Sequence, residues 1–361
     1  PYAVLAHAED ENVTIWASTQ APFRVRRTAA EALNIEEDQV HVITPFLGCG
    51  LGGKKSGRQI TEAVKLSKIS GHPVQLAWTR QEEFFYDTFR PAAVVQLKSG
   101  LDSKGLITSW GCDILFTGSR SSEPIYNIPN FMVKISGDRD AHPFGTGAWR
   151  GPGSNTNVFA MESHTDILAQ VAGMDPLSFR MKNLTDDRMI RVLEAAAEKF
   201  GREISKGPSG SGYGISCTNY LNSYVATIAE VSVKRSSGQV KVDRVVCAQD
   251  MGEIINPQGA KLQIEGGITM GLSAALSEEI KFTGGKIHSR NYNSYEITKF
   301  SKAPKVDIVL IDNPDLAPQG CGEPAITTVG AAIANAIFDA VGARLYTLPM
   351  TPERILAAMD K

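Results

Sequence analysis

The chain lacks any C-x-x-C pair. Its five cysteines (Cys49, Cys112, Cys217, Cys247 and Cys321) are scattered over 361 residues. That spacing gives neither a structural zinc pattern nor a local iron–sulfur motif, and an odd number completes no disulfide framework. Most are expected to be buried thiols, because free cysteine behaves as a small hydrophobe. Cys49 and Cys321, in glycine-rich loops, fit that expectation least. An excess of one charge is also missing. With 37 basic and 39 acidic residues the net charge is −2, so the balance points to neither nucleic acid nor a membrane surface. No apolar run approaches the roughly 20 residues that span a bilayer, so the sequence reads as soluble. The opening "PYAVLAHAEDENVTIWAS" has no initiator Met, basic stretch or signal-type apolar core. It reads as starting inside or beside a sheet, as a processed product or one piece of a split polypeptide would. There is no tandem repeat at a fixed period of about 20–50 residues.

What is present is a globular composition, 42% hydrophobic and 21% charged, long enough for two domains or one intertwined pair. "NVTIWAST", "QVHVITP" and "PVQLAWT" read as strands by their β-branched and aromatic content. "APFRVRRTAAEALN" and Gln59–Ile69 read as helices. "AAVVQLKSG" to "LITSWGCDILF" is an expected hairpin, followed by an irregular stretch over Tyr126–Gly147. Asn155 or Thr156 is expected to cap a helix that runs to a C-terminal glycine, Gly173. "MIRVLEAAAEKF" is a strong helix. "GREISKGPSGSGYG" is the best linker candidate, and "VATIAEVSVKRSSGQVKVDRVVCAQD" a second hairpin. "PQGAKLQIEGGITMGLSAALSEE" is helical, although Gly266, Gly267 and Gly271 each cost roughly 1 kcal/mol against Ala and need a close-approach reason. A strand "VDIVLID" and a final helix from about Thr328 to Val341 complete the reading. Strands and helices mix without strict βαβ alternation, which makes the fold class α+β, with mixed sheets and two intertwined lobes, 1–200 and 201–361.

Four loops carry chemistry. In "GCGLGGK" (Gly48–Lys54), four glycines let backbone N–H groups approach an anion closely. Its spacing misses the P-loop and lacks the acidic residue of a dinucleotide site, and a plain structural turn remains open. In "GAWRGPG", Arg150 stands between glycines, suited either to orienting a carbonyl or carboxylate or to a salt bridge at a domain seam. In "LQIEGGITMG", Gln263 offers an amide that reads a heterocycle, or is simply solvated. In "GCGEPAI", Glu323 sits between glycine-flanked Cys321 and Pro324 at a helix start. There it is either an ordinary capping acid favoured by the macrodipole or a positioned general base.

Taken in this order, the four loops resemble the molybdopterin-binding subunit of the xanthine dehydrogenase/aldehyde oxidase family of molybdenum hydroxylases. The texture is closest to the isoquinoline 1-oxidoreductase/aldehyde dehydrogenase branch, as in the C-terminal "AAIANAIFDAVGARLYTLPMTPERIL". "GCGLGGK" is similar to the family's Gly-Gly-Phe-Gly-Gly-Lys loop, "WRGPG" to its Phe-Arg-Gly-Phe-Gly loop, "QIEGG" to its Gln-Val-Glu-Gly segment and "GCGEPAI" to its Gly-Glu-Pro-Pro motif. The resemblance implies that Glu323 is the base, that Arg150 orients substrate, and that Gly50, Leu51, Gly52, Gly53, Gln263 and Gly322 bind cofactor. No side chain need ligate the metal, because the pterin dithiolene does. The implied reaction is hydroxylation of an aldehyde or N-heterocycle carbon by water, coupled to two-electron reduction of molybdenum. The cofactor implied is molybdenum-molybdopterin, in bacteria typically the cytosine dinucleotide form. The family's Met-Gly-Gln-Gly segment and Ser/Ala-rich pterin loop are not found. The chain therefore resembles the later half of such a subunit, with a second molybdopterin-binding chain supplying the rest. An iron–sulfur subunit and a flavin or haem acceptor are implied as further partners. Leu51 and Pro152 replace the two clamping aromatics, so a purine substrate is not implied. A non-catalytic scaffold half-subunit and a nucleotide-dependent dehydrogenase stay open as other readings. Localisation is left open between bacterial cytoplasm and periplasm.

Overall fold

Val4, Ala6 and Ala8 turn inward along β1 (Ala3–Glu9), and Val13, Ile15 and Ala17 do so along β2 (Asn12–Ala17). This is the period-two burial of a sheet with one face on a core. The structure, a computed structural model, describes residues 2–55, 57–137, 141–201 and 210–360. β1 pairs antiparallel with β2, Leu5 opposite Trp16. α1 (Pro22–Leu33) starts on proline, where the missing N–H costs nothing, and ends at Asn34 in the left-handed conformation. β3 (Val40–Ile43), α2 (Arg58–Ser70), β4 (Val74–Ala77) and α3 (Arg80–Tyr86) follow. The sheet order is β3-β2-β1-β4, with β2 and β3 parallel. Val25 and Ala29 of α1 and Ile60, Ala63 and Val64 of α2 close a core over it.

The chain divides into two compact units. One comprises Pro1–Pro91, Arg139–Arg150 and Ile280–Tyr295; the other comprises Ala92–Asp138, Gly151–Glu279 and Glu296–Lys361. The units interleave along the sequence, whereas lobes 1–200 and 201–361 divide the chain by the order of its loops.

The second unit begins with the expected hairpin, β5 (Val94–Leu101) and β6 (Ile107–Leu115). β7 (Phe131–Ser136) pairs parallel with β6. It lies inside the stretch expected to be irregular, where its strand signal is masked by neighbouring Pro, Asn and Gly. α4 (Ser154–Val171) has Gly153 as its N-cap, with φ +78° and no side-chain cap bond. Neither Asn155 nor Thr156 fills that role, because both already lie in the first turn. Gly173 follows the helix at φ +64°, as expected. α5 (Pro176–Asn183) is capped by Asp175 and α6 (Asp187–Phe200) by Asp186. Of the expected linker, residues 202–209 lie outside the described residues, and its tail is not a loop. Ser211–Tyr220 forms β8.

β9 (Ser223–Lys234) and β10 (Gln239–Asp250) form the second hairpin. α7 (Pro257–Leu276) follows, then a short ribbon of β11 (Phe282–Thr283) and β12 (Lys286–Ile287) in the first unit. β13 (Lys305–Ile311) pairs parallel with β10, completing a sheet ordered β13-β10-β9-β8. α8 (Pro324–Val341) and α9 (Pro352–Met359) end the chain. α8 starts four residues before the expected Thr328, since Pro324 fits a first helical turn. Val245 and Cys247 face α7 and α8 on one side of this sheet, and Val246 and Ala248 join the core of α6 on the other. β8 lies close beneath α8: a Cβ at Gly214 would stand 2.3 Å from the Ala332 carbonyl oxygen. In α7, a Cβ at Gly271 would stand 2.8 Å from the Val329 side chain and one at Gly267 3.3 Å from Ile326 N, a close-approach reason for these two glycines. By length and composition alone α8 could cross a membrane, against the expectation that no such run is present, but 83% of it is buried within the protein. Parallel and antiparallel pairs mix in each larger sheet, and the fold is α+β.

Candidate active site

Glu323 occupies the N-cap position of α8, yet its side chain makes no capping bond. Its two oxygens are engaged elsewhere. Oε1 accepts the Gly151 N–H at 3.0 Å, and Oε2 accepts the Tyr220 hydroxyl at 2.7 Å. Arg120 Nη1 donates in turn to the Tyr220 oxygen at 3.0 Å. Tyr220 is the last residue of β8 and is 4% exposed. Burial foremost, then its bond to Glu323 and that residue's charge, push its hydroxyl up to about 12, so it remains a donor across the working pH range.

The loop that carries Glu323 is tied down along its length. Ser223 Oγ donates to Gly320 O at 2.7 Å, Gln319 N to Met251 O at 2.7 Å, and Glu253 N to Leu316 O at 3.0 Å. Gly252, at φ +75°, lets these backbones meet: a Cβ there would stand 2.4 Å from Ala317 O. Gln263 projects from the exposed side of α7. Its Oε1 would lie 3.5 Å from a Cβ at Gly322, so Gln263, Gly322 and Glu323 come together in the second unit.

In the first unit the glycine-rich loop is braced from behind. Gly52 donates its N–H to Gln20 Oε1 at 3.0 Å, and Lys54 Nζ turns back to Ser18 Oγ and Leu47 O, both at 2.8 Å. Gly48, Leu51 and Gly52 have φ of +62°, +50° and +96°. A Cβ at Gly52 would stand 2.2 Å from Ala148 O, so only glycine allows this loop to lie against the turn that leads to Arg150. That turn is fixed by two backbone bonds, Phe89 N to Gly145 O at 2.9 Å and Gly147 N to Phe89 O at 2.8 Å. Trp149 stacks under the Arg90 guanidinium, and Arg150 is 7% exposed. Among the described residues, the N–H groups of Gly50 and Leu51 donate to no protein acceptor. Gly53 stands near Asp87, whose carboxyl is pushed up by burial against the pull of the Thr88 N–H.

Sequence reasoning missed Tyr220, Arg120, Gln20 and the part played by the Gly151 N–H. Only Tyr220 had a signal: "YLNS" is a two-residue hairpin turn, with Leu221 and Asn222 at φ +50° and +65°, the type that ends a strand sharply.

Known proteins share much of this chain. A family model described as a molybdopterin cofactor-binding domain matches residues 1–184, and a second of the same description matches 161–304. The chain is 30% identical to one of the subunits of nicotinate dehydrogenase from Pseudomonas putida, over 99% of this chain and 33% of that protein. It is 28% identical to the β subunit of isoquinoline 1-oxidoreductase from Brevundimonas diminuta, over 97% and 48% respectively. It thus spans a third to about half the length of these relatives. Its fold matches aldehyde oxidoreductase from Desulfovibrio gigas with a TM-score of 0.89 at 20% identity, covering 100% of this chain and 59% of the other.

Proposed function

Since the chain belongs to the molybdopterin cofactor-binding subunits of the xanthine dehydrogenase/aldehyde oxidase family, we propose that it forms part of the active site of a molybdenum-dependent hydroxylase or dehydrogenase. Its substrate is an aldehyde or an N-heterocycle, and Glu323 is the general base. The observation that carries this reading is the setting of Glu323. A carboxylate at a helix start that does not cap its helix, and is held by Gly151 and Tyr220 instead, is held for another task.

The residues present suit the cofactor. Positive-φ glycines, and Gly50 and Leu51 N–H groups without protein acceptors among the described residues, make a concave backbone surface that accepts an anionic, oxygen-rich group. When bound, the molybdenum–pterin group supplies two-electron oxidation of a C–H carbon with water as the oxygen source. Gly50, Leu51, Gly52 and Gly53 form its backbone cradle, and Gln263 and Gly322 contact the pterin. Arg150 orients the substrate carbonyl or ring acceptor through its planar fork. Glu323 takes up the proton released as water is activated, a role general bases fill with about 10²- to 10⁴-fold effect. We further propose the cytosine dinucleotide form of the pterin and a second molybdopterin-binding chain. An iron–sulfur subunit and a flavin or haem subunit receive the electrons.

The test is Glu323→Gln in the assembled complex, assayed with aldehydes and N-heterocycles alongside metal analysis. Molybdenum content near that of wild type with turnover lowered about 10²-fold or more supports the base. Turnover near wild type removes that role and favours a scaffold half-subunit.

A further inference from the structure

We propose that Tyr220 and Arg120 form a positioning pair that aims the Glu323 carboxylate, the phenol donating to Oε2 and the guanidinium donating to the phenol oxygen. This rests on the reading of Glu323 as base and adds to it the regulation of that base. The geometry is continuous. Arg120 Nη1 reaches the Tyr220 oxygen at 3.0 Å, and the Tyr220 hydroxyl reaches Glu323 Oε2 at 2.7 Å. The phenol cannot swing away. It is buried at the end of β8, and the next two residues form the tight turn into β9. The first residue of β9, Ser223, holds Gly320 of the Glu323 loop. One hairpin end therefore grips the base and its loop at two points.

Glu323 receives two hydrogen bonds, one on each oxygen, from the Gly151 N–H and from Tyr220. A guanidinium N–H on the phenolic oxygen makes the phenol a stronger donor, as chained hydrogen bonds polarise one another. Arg120 is exposed, and a guanidinium offers donors and no acceptor, so it fixes the direction of donation.

Two measurements test it. In the assembled complex, Tyr220→Phe is expected to lower kcat about tenfold with little change in KM. Arg120→Gln, at an exposed position, is expected to lower kcat by less. In the full chain without cofactor, the infrared carboxylate stretch of Glu323, with Glu323→Gln as the subtraction reference, is expected to shift in the same order. A band and a kcat unchanged in both variants overturn the pair. An active Glu323→Gln enzyme overturns the base reading alone, and the infrared band still decides whether Tyr220 and Arg120 hold the carboxylate.

Discussion

Arg188 grips Asp250 with two hydrogen bonds, Nε to Oδ2 at 2.9 Å and Nη2 to Oδ1 at 2.6 Å. Asp250 ends β10, is fully buried, and also accepts from the Gly252 N–H and the Asn313 amide. These bonds join the two backbone segments, 250–253 and 313–319, from which the Glu323 loop springs.

Breaking that grip should cost stability. Removing one partner of a buried pair leaves an uncompensated charge and typically costs about 3–5 kcal/mol. Arg188→Met is expected at the lower end, because Arg188 is partly exposed. Burial alone would raise the Asp250 carboxyl, but the Arg188, Gly252 and Asn313 bonds outweigh it and hold the group below its ordinary value. Its contribution is therefore complete above the unfolded carboxyl range, near about pH 4, and is lost as pH falls through the lower folded value. Urea unfolding of wild type and Asp250→Asn from about pH 7 down to about pH 3 checks this. The two curves should converge toward acid, and parallel curves would remove the pair from the stability balance.

A single methyl at the glycine-rich loop should separate cofactor retention from folding. Gly52→Ala places a Cβ 2.2 Å from Ala148 O at a φ of +96°, an overlap the backbone cannot bear in place, on top of a dihedral strain of roughly 1–3 kcal/mol. The loop is expected to shift instead. Far-ultraviolet circular dichroism should stay near wild type while molybdenum per purified complex falls severalfold. Full molybdenum content in this variant would exclude the loop as cradle.

Thiol chemistry gives a third readout. Cys49 is exposed, whereas Cys112, Cys217 and Cys247 are buried. Burial pushes Cys112 up to about 11 and Cys247 to about 12, and pushes Cys217 up as well. Thiolate, not thiol, reacts, so native alkylation at about pH 8 followed by peptide mass spectrometry should label Cys49 first. The three buried residues should react only after denaturation. Equal labelling of Cys247 and Cys49 would contradict the packing of β10 beneath α7 and α8.

The burial of Cys112, Cys217 and Cys247 and the exposure of Cys49 were legible in the sequence, because free cysteine behaves as a small hydrophobe and glycine-rich loops mark the exceptions. α1, α2, α6 and both expected hairpins were legible from apolar periodicity and turn residues. β1 and β8 were not. "AVLAHAE" and "SGYGISCTNY" are rich in Ala and Gly, which carry little strand signal. β8 is a strand because Gly212 and Gly214 leave room for the backbone of α8, and no local pattern records that. Glu323 stood out through its glycines and Pro324, but its partner Tyr220 lies 103 residues away. What draws the carboxylate off the helix end is a tertiary hydrogen bond, and single-sequence periodicity does not encode such bonds.

Phe89 packs on Phe144, and Phe144 on Phe282, three rings drawn from the three separate stretches of the first unit. During synthesis the stretch that carries Phe89 must therefore wait, its aromatic side unfinished, until the segment that carries Phe282 has been made. A gene fragment ending at Pro91 would leave Phe89 without the Phe144 ring it packs on.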